Sequence, residues 1–488
     1  MKAYFLFKQC TLLRGIRVLR ASIQPASFIM CAFLLILTML AGCAKKPEYI
    51  IMIGIDTLGA EHLSCYGYPI ATSPCIDAFA QNATLYEHSI AQSSWTLPSF
   101  ASMFTSLYYH EHKSGLPCQQ TNNVKKIFNV TIIDDSFTTL AEILSKHGYR
   151  TAAFTEGAFL SPAFGFSQGF DIFEICSANK DNIDKVTIEQ TLNKDVKKVV
   201  DVSLEWIRKN RLQRFFLFLH TYEPHVPLKD PMNVLSQIEK EYSRSGFDKQ
   251  VKNTVDESAL GTTEKKLDVY NWTVRERMLY DCEIKYTDHH IGRFFKELKK
   301  MGIFDKSLII LTSDHGEEFY EHGELYHGHN LYQTTIFVPL IVKKPNQTTG
   351  IRENRIIAEG VDIMPTILQM CKINTEGLKI SGSSLFAKSP EKIARSHLFI
   401  DQKNLAVGIK KFQKAIFNYN TPQDFALLNL EKDPKEKKPV FQPLPDKTFF
   451  SKFISPDQMP QIINALCFDE FSQKKADIDL LKALGYIN

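Results

Sequence analysis

The amino-acid sequence predicts an α/β fold in which a mostly parallel sheet is sandwiched by helices, with a smaller C-terminal α+β subdomain. Two observations predict it. Short unbroken apolar runs, the pattern of strands buried on both faces, alternate with stretches of helical periodicity. Three of those runs end in Asp or His, and in an open α/β sheet functional groups converge outside the carboxyl ends of the strands.

Tyr49-Ile50-Ile51-Met52-Ile53-Gly54-Ile55 is the first strand, and it runs into Asp56. Leu140, Ile143, Leu144 and His147 fall at helical spacing, and Gly148 ends that helix before a strand from Tyr149 to Phe154. Val196, Val199, Val200 and Ile207 mark a helix that feeds the strand Phe215-Phe216-Leu217-Phe218-Leu219, which ends in His220. Ile291, Phe294, Phe295, Leu298 and Met301 mark another, stopped by Gly302. The strand Leu308-Ile309-Ile310-Leu311-Thr312 follows and ends in Ser313-Asp314-His315. The polar segment from Lys229 to Asp268 has no clear periodicity and reads as a surface insertion. The 35 phenylalanines read as core rather than as a carbohydrate-stacking platform.

The first 42 residues read as an export signal. Lys2, Lys8, Arg14, Arg17 and Arg20 precede any acidic residue, and an apolar run follows from Phe28 to Leu40. That run is shorter than the ~20 residues that span a bilayer. It ends in Leu40-Ala41-Gly42-Cys43, which resembles a bacterial lipobox. The resemblance implies acylation of Cys43 and an exported, membrane-anchored lipoprotein on the periplasmic or extracellular face. Without the segment, the formal charge of +4 over 488 residues becomes −1 over 446, which leaves no basis for a nucleic-acid partner. The expected domains are a signal peptide over 1–42, an α/β domain over 43–388 and a C-terminal subdomain over 389–488. The cysteines left beyond Cys43 are Cys65, Cys75, Cys118, Cys176, Cys282, Cys371 and Cys467. Their scatter argues against a structural zinc site, and Cys65 and Cys75 are the nearest pair for a disulfide.

Between the first strand and the next helix lies Ser93-Ser94-Trp95-Thr96-Leu97-Pro98-Ser99. Pro98 suits the first turn of a helix, which puts Thr96 at or just before its N-terminus. Free N–H groups and the helix dipole there favour negative charge on an oxygen. Read locally, Thr96 is an ordinary N-cap.

These segments together resemble the sulfatase branch of the alkaline phosphatase superfamily, and the resemblance covers nearly all of the chain after Cys43. Asp56-Thr57-Leu58-Gly59 looks like the opening metal-ligand motif, Thr96-Leu97-Pro98-Ser99 like the nucleophile motif, and His220-Thr221-Tyr222-Glu223-Pro224-His225 like the strand-end histidine segment. Ser313-Asp314-His315-Gly316-Glu317 followed by His327-Gly328-His329-Asn330-Leu331-Tyr332 is the most specific match. Val361-Asp362-Ile363-Met364-Pro365-Thr366, Leu430-Glu431-Lys432-Asp433-Pro434 and Leu484-Gly485-Tyr486 resemble the C-terminal landmarks.

The departures bear on chemistry. Sulfatases typically carry Cys or Ser in a C/S-x-P-S-R motif, where that residue is oxidised to formylglycine. Thr96 cannot follow that route, and Phe100 stands where the Arg would be. Glu156-Gly157-Ala158-Phe159 occupies the segment that usually supplies a sulfate-binding Lys and His. A Thr nucleophile is similar to the phosphoryl-transfer members, such as nucleotide pyrophosphatases and phosphoethanolamine transferases.

The resemblance implies that Asp56, Thr96, Asp314 and His315 hold a divalent metal ion (Zn, Mn or Ca; one or two), with Thr96 as nucleophile. His225 and His327 would neutralise non-bridging oxygens or protonate the leaving group, and His220 and His329 would bind substrate; an exchange of roles within this set stays open. The implied function is a metal-dependent sulfatase-family hydrolase of phosphate or sulfate esters of a glycan, lipid or small molecule, with phosphoryl chemistry preferred. The alternatives are a phosphoethanolamine-type transferase and a catalytically degenerate lipid-anchored binding protein.

Overall fold

The main sheet is built from β1 (Tyr49–Ile55), β2 (Thr84–Tyr86), β3 (Arg150–Thr155), β4 (Ile172–Ile175), β5 (Phe215–Thr221), β6 (Ser307–Thr312), β7 (Leu340–Lys343) and β8 (Ile351–Glu353). Their order is β8-β2-β7-β6-β1-β5-β3-β4, and among the described residues only β7 runs against its neighbours. The structure is a computed structural model, and it describes residues 46–116, 126–127, 130–176, 194–247, 263–387, 392–400, 403–418 and 425–442. The signal segment with Cys43, Cys118, Cys467 and Leu484-Gly485-Tyr486 lie outside these residues.

The unbroken apolar runs form central strands because both faces of the sheet are covered. Ile50 and Met52 of β1 join the core on one face, while Ile51, Ile53 and Ile55 join the core on the other. Phe216 and Phe218 of β5 sit with the first set, Phe215, Leu217 and Leu219 with the second. Period-two alternation of side chains along a strand makes this division automatic.

Helices supply both covering layers. These are α1 (Pro74–Ala80), α2 (Thr96–Thr105), α3 (Leu140–Lys146), α4 (Val196–Asn210), α5 (Leu235–Ser245), α6 (Thr263–Lys300) and α7 (Ile363–Met370). Apolar residues of α1, α4 and α6 fill the core with Ile51 and Ile53, whereas those of α2, α3 and α7 fill the core with Ile50 and Met52. α3 starts on a capping box in which Glu142 N donates to Thr139 Oγ1 and Thr139 N donates to Glu142.

The C-terminal part is an antiparallel meander of β9 (Ala394–Ile400), β10 (Lys403–Lys410), β11 (Gln413–Asn418), β12 (Phe425–Asn429) and β13 (Val440–Gln442). Ala394, Leu398, Val407 and Ile409 pack it into the same core as α2, so it covers one face of the main sheet beside the helices. The chain from Pro47 onward forms one compact unit.

Two expectations are corrected. The segment from Lys229 to Asp268 is no featureless insertion: it contains α5 and the start of α6. α5 forms on only two core anchors, Ile238 and Tyr242, one turn apart and buried against Tyr68 and Cys282. With Leu235 they make an i, i+3, i+7 stripe, but one short enough among polar residues to escape the sequence reading. Cys65 and Cys75 are free thiols and form no disulfide with each other. Cys75 instead packs in the first turn of α1, where its N–H donates to Asp288.

Candidate active site

The carboxyl ends of β1, β5 and β6 open on one edge of the sheet and present Asp56, His220 and Asp314-His315 there. Parallel pairing in register, with Ile53 opposite both Leu219 and Leu311, carries three distant segments to the same level. α2 delivers Thr96 as its first residue, after an extended Trp95. The side chains of Asp56, Thr96, Asp314, His315, His220 and His327 are wholly buried.

Thr96 does not cap its helix. Its hydroxyl donates instead to Asp56 Oδ2 at 3.2 Å and lies 3.4 Å from His315 Nε2. The local N-cap reading is thereby corrected: tertiary placement gives the hydroxyl a carboxylate to donate to, in place of a backbone N–H to accept from.

The tautomer of His315 follows from its neighbour. Nδ1 is 2.9 Å from the Gly316 carbonyl oxygen, which can only accept, so Nδ1 carries the proton and Nε2 presents a lone pair. That lone pair faces Asp314 Oδ2 at 3.3 Å and Asp56 Oδ1 at 4.0 Å. Donor atoms of Asp56, Asp314 and His315 all lie within 4.8 Å of one another. Buried Asp56 Oδ1 and Asp314 Oδ2 have no hydrogen-bond partner among the described residues. Three acceptors that converge this closely fit a cation, and the mixed oxygen and nitrogen set suits a divalent one. Burial and the adjacent Asp314 hold the Asp56 carboxyl well above the usual carboxylate range, which is the cost that a cation would remove.

The loop after β1 is tied down on several sides. Thr57 takes a left-handed φ of 56° and its N–H donates to Asp314 Oδ1 at 3.2 Å, while Leu58 N–H donates to Ser313 Oγ. Tyr280, from the middle of α6, donates its hydroxyl to the Thr57 carbonyl at 2.6 Å and accepts from Gly59 N–H at 3.0 Å.

The remaining predicted residues surround this cluster. His220 Nε2 is 3.6 Å from Asp56 Oδ2, and its ring meets Phe100 edge-on with centroids 5.1 Å apart. The His327 ring lies 4.4 Å from that of His315 and 4.9 Å from that of His225. His225 Nδ1 donates to the Val226 carbonyl at 2.7 Å, which leaves Nε2 as the basic nitrogen. Burial, the largest cause for each, pushes His225 down to about 3 and holds His220 and His327 well below the usual histidine range. His329 is buried on the loop of His327, which Gly328 N–H pins to the Ser94 carbonyl two residues before Thr96. The structure therefore brings Asp56, Thr96, Asp314, His315, His220, His225 and His327 into one cluster. It places His329 on the adjoining loop.

Phe100 does more than displace the expected Arg. Its ring packs on Phe218 as well as His220, in space that Gly54 leaves open: a Cβ there would meet Phe100 Cζ at 2.8 Å. Glu156 is buried and accepts from Asp195 N–H at 2.6 Å, from Thr221 Oγ1 at 3.3 Å and from Tyr222 N–H at 2.5 Å.

Three contributors were assigned no role from the sequence. Glu317 bonds His327, Tyr280 braces the Asp56 loop, and Lys194 donates to the carbonyls of His225 and Pro227 while pairing with Glu283 of α6. Glu317 closes the Ser313-Asp314-His315-Gly316-Glu317 segment, which could have flagged it; Tyr280 sits within α6 and Lys194 just ahead of α4, with nothing local to mark either.

A mostly parallel sheet with flanking helices and a small C-terminal antiparallel sheet is the sulfatase fold of the alkaline phosphatase superfamily. The family model described as Sulfatase matches residues 48–373, and the chain belongs to the sulfatase family. It is similar to arylsulfatase K from Bos taurus, with 25% identity over 368 residues covering 70% of this chain and 64% of that relative. The chain thus spans just under two thirds of the length of that protein. Among solved structures it is similar to BT4656 in complex with its substrate D-glucosamine-2-N,6-O-disulfate, with a TM-score of 0.61, 18% identity and coverage of 90% and 98% of the two chains. It is also similar to the phosphonate monoester hydrolase of Agrobacterium radiobacter, with a TM-score of 0.60, 18% identity and coverage of 90% and 96%.

Proposed function

We propose that this chain is a metal-dependent ester hydrolase that uses Thr96 as its nucleophile and prefers phosphoryl over sulfuryl esters. The observation that carries the reading is the Thr96 hydroxyl, buried at the N-terminus of α2, 3.2 Å from Asp56 Oδ2 and 3.4 Å from His315 Nε2. Asp56, Asp314 and His315 would hold the cation, with Thr96 beside it. A divalent cation, when bound, supplies Lewis acidity and neutralises developing negative charge.

The chain's own groups account for the rest. Asp56, through the Oδ2 to which the hydroxyl already donates, accepts the Thr96 proton as the hydroxyl attacks the central atom, and the first free amides of α2 favour the charge on that oxygen. The proton that Asp56 gains is the one available to the leaving group, while His225, an uncharged imidazole beside His327 with its lone pair on Nε2, can take a proton from the water that resolves the Thr96 ester.

The identity of the nucleophile favours phosphorus. An aldehyde hydrate can expel sulfate by collapsing through its second hydroxyl, whereas an esterified threonine has none. The Thr96 ester must instead be resolved by a second attack at the central atom. The missing Arg and Lys/His pair also lower the positive charge available, which suits a singly charged phosphodiester or phosphonate better than a doubly charged phosphate monoester. The similarity to a phosphonate monoester hydrolase supports this reading, while the arylsulfatase relative favours sulfate esters as the second one.

A panel assay decides. The soluble chain after Cys43, with added zinc, manganese or calcium, is given phosphomonoester, phosphodiester and sulfate ester model substrates. Phosphodiester turnover that falls by ~10³-fold or more in Thr96→Ala is expected. Turnover of the sulfate ester alone would overturn the phosphoryl preference, and equal activity of Thr96→Ala would remove Thr96 from the chemistry.

A further inference from the structure

The edge of the sheet opposite the site has its own character. Three helices that return to it end in cations, Lys146 in α3, Arg208 and Lys209 in α4, Lys299 and Lys300 in α6, whereas α1 carries none in its last turn. Helix dipoles account for such residues at C-termini. They do not account for the turn between α4 and β5, where Leu212 is 96% exposed between exposed Arg211 and Arg214. Ile172 at the start of β4 and Ile351 at the start of β8, 36% and 48% exposed, lie on the same edge. Three of the seven large apolar side chains exposed among the described residues are therefore spaced along one rim. Some cations are balanced there: Lys209 pairs with Glu205, Arg208 and Lys300 share Glu297, and Lys306 pairs with Glu48.

The N-terminal tether arrives at the same rim. The Tyr149 hydroxyl donates to the Pro47 carbonyl, and the Tyr49 hydroxyl donates to the Arg211 carbonyl, which places the entry of the chain beside the exposed turn. Cys43 precedes Pro47 by only four residues.

We infer that this rim is a membrane-docking face that fits a bilayer with anionic headgroups, Leu212 entering the interface and Arg211 and Arg214 meeting the phosphates. The tether half of this inference rests on the reading of Cys43 as acylated; the charge and the exposed apolar tips do not. Basic residues at an anionic surface act together with a short apolar insertion, as in other two-signal anchors. One consequence is orientation. The catalytic edge faces away from the lipid by the length of β1, roughly 20 Å at about 3.3 Å per residue, so the ester that is cleaved is one that reaches in from the aqueous side.

The test is co-sedimentation of the unacylated chain after Cys43 with vesicles of phosphatidylcholine alone or mixed with phosphatidylglycerol. Binding to the anionic vesicles alone, released by salt and weakened about tenfold or more in Arg211→Glu/Arg214→Glu, is expected. Leu212→Asp should weaken it as well, with the thermal midpoint and turnover of a soluble substrate unchanged in both variants. No binding, equal binding to neutral vesicles, or indifference to the Arg substitutions would overturn the proposal. So would light scattering that shows a dimer which these substitutions dissociate, since a second copy would then occupy the face. Mass spectrometry of Cys43 in the full chain separates the two halves: an unmodified thiol removes the tether and leaves the vesicle result to decide the face.

Discussion

Nδ1 of His327 lies 2.8 Å from Oε1 of Glu317, and both side chains are wholly buried. A carboxyl that holds one nitrogen of an imidazole fixes the ring's tautomer and its orientation. Here it fixes the ring between His225 and His315. Glu317→Gln is expected to lower kcat/KM by about 10- to 100-fold with little change in thermal midpoint, and Glu317→Asp to recover part of the loss. Steady-state kinetics check this; a change of less than twofold would show that the pair is only structural.

The acceptor cluster of Asp56, Asp314 and His315 predicts stabilisation by metal. A cation at one hundred times its Kd adds about 2.7 kcal/mol. Thermal unfolding with and without chelator, followed by titration with zinc, manganese and calcium, should show a higher midpoint for the ion that fits. Asp314→Asn should abolish that rise. A chelator-insensitive midpoint in metal-loaded protein contradicts the site.

Phe100 fills apolar space against Phe218 and His220, so the sulfatase arginine cannot be restored in isolation. Phe100→Arg would bury an unpaired charge and should destabilise the fold by about 3 kcal/mol or more. Urea unfolding measures it. A variant as stable as the wild type that gains sulfate ester turnover would show that the position still accepts an anion-binding residue.

Glu223, two residues before His225, gives a pH dependence with a definite sign. Burial, then the charges of Glu156 and Glu283, push its carboxyl up to about 9. The folded protein therefore holds this proton more tightly than the unfolded chain does. The contribution to stability is complete below the unfolded value near 4.5 and is lost as pH rises through about 9. Urea midpoints across that range should fall with rising pH more steeply for the wild type than for Glu223→Gln. Parallel profiles would contradict the assignment.

The strands that build the site were legible as apolar runs, because residues buried on both faces of a sheet leave nothing polar to interrupt them. The ligand positions were legible because a strand end exposes the next side chain at the functional edge. α5 was not, since its apolar stripe of Leu235, Ile238 and Tyr242 is short and set among polar residues. Nor were Lys194 and Tyr280, whose contacts join segments 31 and 223 residues apart.

The sequence by itself determined the α/β class, the strand ends at Asp56, His220 and Asp314, and the substitution of Thr96 and Phe100 in the family pattern. These are local properties: periodicity, burial pattern and residue identity. Only the tertiary structure decided that the Thr96 hydroxyl turns from its own helix to Asp56, that Glu317 holds His327, and that the rim around Leu212 lies opposite the site. Each of those relations depends on the register of parallel strands and the packing of helices across them. That register brings together groups whose separation along the chain carries no record of their meeting.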